Sequence, residues 1–307
     1  MPIKRRVKVL VSAVCWIGQQ TRRAARQLLG QPNTTPLVVL YYHGVPAPQR
    51  RRFAAQLDEL ARRADVVGSG FKGLSASMRR RVAITFDDGF QSVCDNALPE
   101  LASRRMPCTV FVPAGALGRN PDWEGESVGA LPDPVMPAQV IKSLAGPLVT
   151  IGAHSLSHPH LSRIPREEAR REIAGSKAML EELIGREVTL FAFPYGDFDA
   201  ATTRMCEEAG FAHAFSIIPE LVDPSRRAFL TGRVAVDPGD GPLEFFLKST
   251  GAYAWVRTYA AVKERFVGRQ APAEPRGLPR HARSTGQPAI SARRSGEIFG
   301  EGRGGGR

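Results

Sequence analysis

Seven short runs of apolar and β-branched residues recur along the middle of the chain: Leu37 to His43, Val82 to Asp88, Cys108 to Val112, Val149 to His154, Thr189 to Pro194, His213 to Ile217 and Arg233 to Val236. A run that is apolar almost throughout has to be covered on both faces, which for strands alternating with amphipathic helices means a parallel sheet. The intervening segments supply those helices. After Pro165, REEARREIAGSKAMLEELIG places Ala169, Ile173, Leu180 and Ile184 on one face and ends at Gly185, and FAAQLDELARR from Phe53 repeats the pattern. About seven such units predict an α/β barrel, and 307 residues suit one barrel with tails.

The formal charge of +12 would by itself suggest a polyanionic partner. Its distribution says otherwise. Residues 1–36 hold seven bases and no acid, and residues 263–307 hold ten bases against four acids, which leaves the centre of the chain near neutrality. We therefore expect a basic N-terminal segment over 1–36, a catalytic domain over 37–262 and a disordered basic tail over 263–307, with no specific nucleic-acid partner. The four cysteines are scattered and read as buried apolar side chains.

In the N-terminal segment, Val7, Leu10, Val11, Val14, Ile17, Thr21, Ala24, Ala25, Leu28 and Leu29 recur at helical spacing with bases at both ends. The apolar stretch is too short to span a bilayer and has no small-x-small cleavage site behind it. Two readings stand: an amphipathic helix in peripheral contact with an anionic membrane, and a helix packed on the domain's own surface. Either a membrane-associated or a cell-envelope location agrees with the first.

Groups capable of chemistry collect where the predicted strands end: His43, Asp87, Asp88, His154 and Tyr195. The C-terminal strand ends of a parallel barrel share one mouth, where active sites are assembled. His154 and His158 stand four apart, so one helical turn would bring both rings to one face. With one carboxylate they make a two-His, one-carboxylate metal set. Adjacent acids at the end of a buried strand need a cation or hydrogen bonds, which favours one Asp as ligand and the other as base.

TFDDG (Thr85 to Gly89), HSLSHP (His154 to Pro159) and FAFPYG (Phe191 to Gly196) resemble, in order, the first three motifs of the polysaccharide deacetylase (NodB-homology) family. The resemblance implies a distorted (β/α)7 barrel that removes N-acetyl groups from an amino-sugar polymer and releases acetate. It implies Asp87 as catalytic base, Asp88, His154 and His158 as ligands of one divalent ion (zinc, with cobalt or nickel possible), and the Tyr195 backbone N–H as an oxyanion donor. Two features depart from the family. Ala192 stands where members often carry Arg, and the late Leu-x-His motif of the general acid is missing, since no His lies between His213 and His281. His43, in YYHGV, is similar to the early histidine of a family branch and takes the acid role; Arg233 is the candidate to orient Asp87 in place of the missing arginine. His160, His213 and Trp123 read as structural. The rival readings are an inactive carbohydrate-binding module of the same fold and an Fe(II) oxygenase, whose facial triad uses the same ligand types.

Overall fold

A computed structural model of the chain describes residues 3–31, 36–70, 79–123, 133–223 and 228–259. The tail expected over 263–307 lies outside the described residues. Nine strands are present among those described: β1 (Leu37–Tyr42), β2 (Ala64–Val67), β3 (Arg80–Phe86), β4 (Cys108–Val112), β5 (Val149–Ala153), β6 (Leu190–Ala192), β7 (His213–Ser216), β8 (Leu230–Gly232) and β9 (Val234–Ala235). The helices are α1 (Ile3–Leu28), α2 (Arg50–Arg63), α3 (Leu98–Ser103), α4 (Ala138–Leu144), α5 (Arg166–Ile184), α6 (Ala200–Glu208) and α7 (Pro242–Ser249).

The strands pair in parallel in the order β8-β7-β6-β5-β4-β3-β1-β9, with β2 a side branch on the first half of β3. Only Arg233 separates β8 from β9 along the chain. Because β8 pairs with β7 and β9 pairs with β1, the single stretch Leu230–Ala235 is the seventh stave and closes the ring. This is the distorted (β/α)7 barrel. The last predicted run, Arg233 to Val236, is the second half of a stave that begins at Leu230 and breaks at the arginine.

Side chains alternate across each strand and so divide the core in two. Val38, Leu40, Val82, Ile84, Val110 and Phe86 face the helices, while Leu37, Val39, Ala83, Phe111, Ala192 and Phe215 form a smaller cluster that fills the barrel. The four cysteines are free thiols, Cys108 and Cys206 buried and Cys15 and Cys94 half-buried.

The helix expected at the N-terminus is present as α1, and it packs on the barrel wall with the face opposite to the predicted apolar stripe. Arg5 pairs with Asp240 at 2.6 Å and Glu244 at 2.8 Å, Trp255 Nε1 donates to the buried Ser12 hydroxyl at 2.9 Å, and Trp16 meets the Phe246 ring edge-on at 5.4 Å.

Helix α6 begins with a capping box. Asp199 accepts the Thr202 N–H at 2.8 Å, Thr202 Oγ1 accepts the Asp199 N–H at 2.9 Å, and Arg166 of α5 adds an ion pair at 2.6 Å. Its slight burial pushes the Asp199 carboxyl up, but the bonds from Arg166 and Thr202 prevail and bring it down to about 2. Asp199→Ala should cost about 1 kcal/mol of stability at neutral pH in urea unfolding. Because the folded-state pKa is the lower one, that difference should persist above the ordinary carboxylate range and fade as pH falls toward about 2.

Candidate active site

Asp87 ends β3 at the barrel mouth, and a fully buried arginine reaches it from the closing stave. Arg233 Nη1 donates to Asp87 Oδ1 at 2.6 Å and Nη2 to Oδ2 at 2.8 Å, a two-pronged pairing. Nη1 also donates to Thr85 Oγ1 at 3.1 Å and Nε to the Ser216 carbonyl at 3.3 Å. The guanidinium lies over the rings of Tyr41 at 4.8 Å, Phe111 at 5.3 Å and Phe215 at 5.8 Å, so it is enclosed by aromatic faces as well as by acceptors. Burial pushes the Asp87 carboxyl up, yet the charge and hydrogen bonds of Arg233 hold it below the usual carboxylate range.

Asp88, His154 and His158 converge beside this pair, all three buried, with their ligating atoms within 4.8 Å of one another. His154 Nδ1 meets the Ala192 carbonyl at 2.7 Å; a carbonyl only accepts, so Nδ1 carries the proton and Nε2 a lone pair. Burial pushes that imidazole down to about 4, which keeps the ring neutral. Asp88 Oδ1 stands 3.6 Å from His154 Nε2 and 3.2 Å from His158 Nε2, and no hydrogen bond reaches it. A lone pair facing a buried carboxylate oxygen is unfavourable unless a cation lies between them. Ligand bonds of about 2.0–2.1 Å to a tetrahedral ion put ligand atoms about 3.3 Å apart, so the three residues fit a small divalent ion.

The two histidines do not share a helical turn. They lie in the loop after β5, where Ser155 (φ 64°) and His158 (φ 64°) are left-handed and fold the second ring back to 4.9 Å from the first. Asp88 (φ 65°) and Tyr195 (φ 58°) are left-handed too, so four of the five such non-glycine residues among those described stand at this mouth. Conformations of this kind cost about 1–3 kcal/mol each and persist only where neighbours enforce them. Glu172 of α5 is one enforcer: its carboxylate accepts the N–H groups of Leu156 and Ser157 at 2.8 Å and the Ser157 hydroxyl at 2.7 Å, while Ser155 Oγ accepts the His158 N–H at 3.0 Å.

His43 is exposed at the end of β1, edge-on to Tyr41 at 5.7 Å. Tyr195 lies edge-on to His158 at 4.6 Å and stacks on His160 at 3.9 Å. Trp123 stacks on His158 at 4.7 Å. Trp123 and His160, read from the sequence as structural, thus border the site; nothing in their spacing signalled it, since loops bring them there. His213 begins β7, at the far end of the barrel from the mouth. A cavity of about 880 Å³ lies between α2 and α7, lined by Arg52, Glu59, Arg63, Leu243 and Phe246, and none of the strand-end residues borders it.

Residues 75–214, a little under half of the chain, match the family model described as polysaccharide deacetylase. The structure of IcaB from Ammonifex degensii is similar at 29% identity with a TM-score of 0.60, over 72% of this chain and 99% of that one. YxkH of Bacillus subtilis, whose name also places it among polysaccharide deacetylases, is 23% identical over 52% of this chain and 52% of its own. A peptidoglycan-N-acetylglucosamine deacetylase of Bacillus cereus is 25% identical over 43% of this chain and 42% of its own. The chain thus spans about half the length of the curated relatives it matches. Arg233 lies beyond the matched residues.

Breaking the buried pair should be costly because either survivor is left as an uncompensated charge. Arg233→Met and Asp87→Asn should each destabilise the protein by about 3 kcal/mol or more. The double variant should cost well under the sum, and a urea-unfolding cycle showing simple additivity would contradict the pairing.

Proposed function

We propose that this protein is a metal-dependent hydrolase that removes N-acetyl groups from an amino-sugar polysaccharide or oligosaccharide, releasing acetate and leaving a free amine. The observation that carries the proposal is the juxtaposition of an ionised, doubly anchored Asp87 with the buried Asp88, His154 and His158 set. One divalent ion held by that set, zinc in the first instance with cobalt or nickel as alternatives, would supply Lewis acidity toward the amide carbonyl and the attacking water. Asp87 takes the proton of that water: both its oxygens are oriented by Arg233, and burial keeps bulk water from competing. The Tyr195 backbone N–H stabilises the oxyanion as the carbonyl becomes tetrahedral, a contribution of about 3–4 kcal/mol for one well-placed donor. His43 protonates the departing amine; it is exposed where β1 ends, and β1 pairs in parallel with β3, which leads to Asp87.

The family match and the name of the B. cereus relative support an N-acetylated glycan as substrate. An oxygen-activating facial triad has no use for a second carboxylate clamped beside it, and an inactive binding module has no reason to keep one ionised at a buried position. Both rivals lose support from the Arg233–Asp87 pair.

Chelation should abolish acetate release from N-acetylated glycans, and zinc, cobalt or nickel should restore it. Full turnover in protein shown by elemental analysis to be metal-free would refute the reading. His43→Ala should retain stoichiometric metal and the fold but lower kcat by about 10²-fold. The loss should be smaller on an activated acetyl ester, whose leaving group needs little protonation; unchanged kcat on the glycan would assign the acid to another group.

A further inference from the structure

α1 is held to the barrel by one face and leaves the other uncovered. Ile3, Val7, Leu10, Val14 and Ile17 form a row at alternating spacings of four and three along the outward side, continued by the small Thr21 and Ala24 to Leu28; Leu10 is 67% and Val14 68% exposed. From Ile3 to Leu28 such a row is about 38 Å long at 1.5 Å per residue. A monomer rarely leaves so extended an apolar surface in water. Lys4 and Arg22 flank the row on one side and Arg6 on the other, with Lys8 and Arg26 further round the helix, all exposed, and residues 1–36 contain no Asp or Glu.

That charge pattern decides between occupants. Two copies pairing this face would press like-charged flanks together with no acid to answer them, whereas helix pairs are stabilised by opposite charges beside the seam. A bilayer with anionic headgroups answers both features, an apolar layer for the row and counter-charge for the flanks. No described helix is long and apolar enough to cross a membrane, so the contact is one of lying on the surface.

We infer that the outward face of α1 docks the barrel on an anionic membrane surface, with the helix as a rigid part of the domain rather than a tether. The docked face also fixes an orientation. Arg5 is bonded to Asp240 and Glu244, just beyond the mouth end of β9, while Arg23 comes within electrostatic reach of Arg80, the first residue of β3 at the opposite end. The helix therefore runs along the barrel's length, and with α1 flat on the bilayer the mouth opens sideways along the membrane surface.

The test uses the full chain and vesicles of phosphatidylcholine with and without phosphatidylglycerol. Binding should require phosphatidylglycerol, weaken as salt rises, and fall about tenfold or more in Leu10→Asp/Val14→Asp. Those residues touch no part of the core, so thermal unfolding should stay at the wild-type temperature. The lipid-free protein should sediment as a monomer in an ultracentrifuge. Equal binding to both vesicle types, or a dimer that Leu10→Asp/Val14→Asp dissolves, would overturn the inference, the latter by assigning the face to a second copy.

Discussion

A guanidinium without solvent exposure in the middle of a barrel has no stable existence apart from its acceptors, and the arrangement of this molecule follows from that constraint. Taking the two charges of Arg233 and Asp87 out of water costs several kcal/mol per ion, which only near-ideal geometry repays. Thr85, the Ser216 carbonyl and three aromatic rings complete the enclosure. The pair links β3 to the stave that closes the ring, so barrel closure and the ionisation of the mouth carboxylate rest on the same atoms.

The strand pattern was legible because burial on both faces leaves an unmistakable mark. All seven predicted runs are staves, and the residues at their ends meet at one mouth, because parallel strands cannot place their C-termini elsewhere. The three-residue β8 was too short for any pattern, so the closing stave was legible only in its second half, where an arginine inside the apolar segment TGRVAV hinted that something charged points inward. The four-residue histidine spacing suggested a helical turn, but the pairing is made by left-handed residues in a loop, whose conformation leaves no periodic trace. Glu172 reads in the sequence as one more acid in a charged helix, and its bonds to the histidine loop come from tertiary placement alone. The helical period of α1 was readable, yet which of its faces meets the barrel depends on Asp240, Glu244 and Trp255, more than two hundred residues away.

The left-handed residues at Asp88, Ser155, His158 and Tyr195 place strained backbone around the mouth, and Glu172 of α5 holds the histidine loop through Leu156 and Ser157. Phe111 and Phe215 pack beneath them, and α5 braces the histidine loop from outside. The rigid wall carries the cost of a loop conformation that the loop's own sequence would not choose. That division of labour fits the polar groups sitting on short connections with the 19-residue α5 behind the histidine loop.

The barrel lumen is common ground for every stave, and Ala192 and Arg233 show what this permits. A side chain needed at a given point in the lumen can be grown from any strand that borders it, provided the strand it vacates keeps something small. Ala192 is small and buried in the lumen, and Arg233 enters that lumen from the closing stave, two strands away in the sheet. What the carboxylate needs at that point of the lumen is an occupied volume and a charge within it, whichever stave supplies them. Here the charge beside Asp87 comes from the closing stave, and the segment FAFPYG contributes none to it.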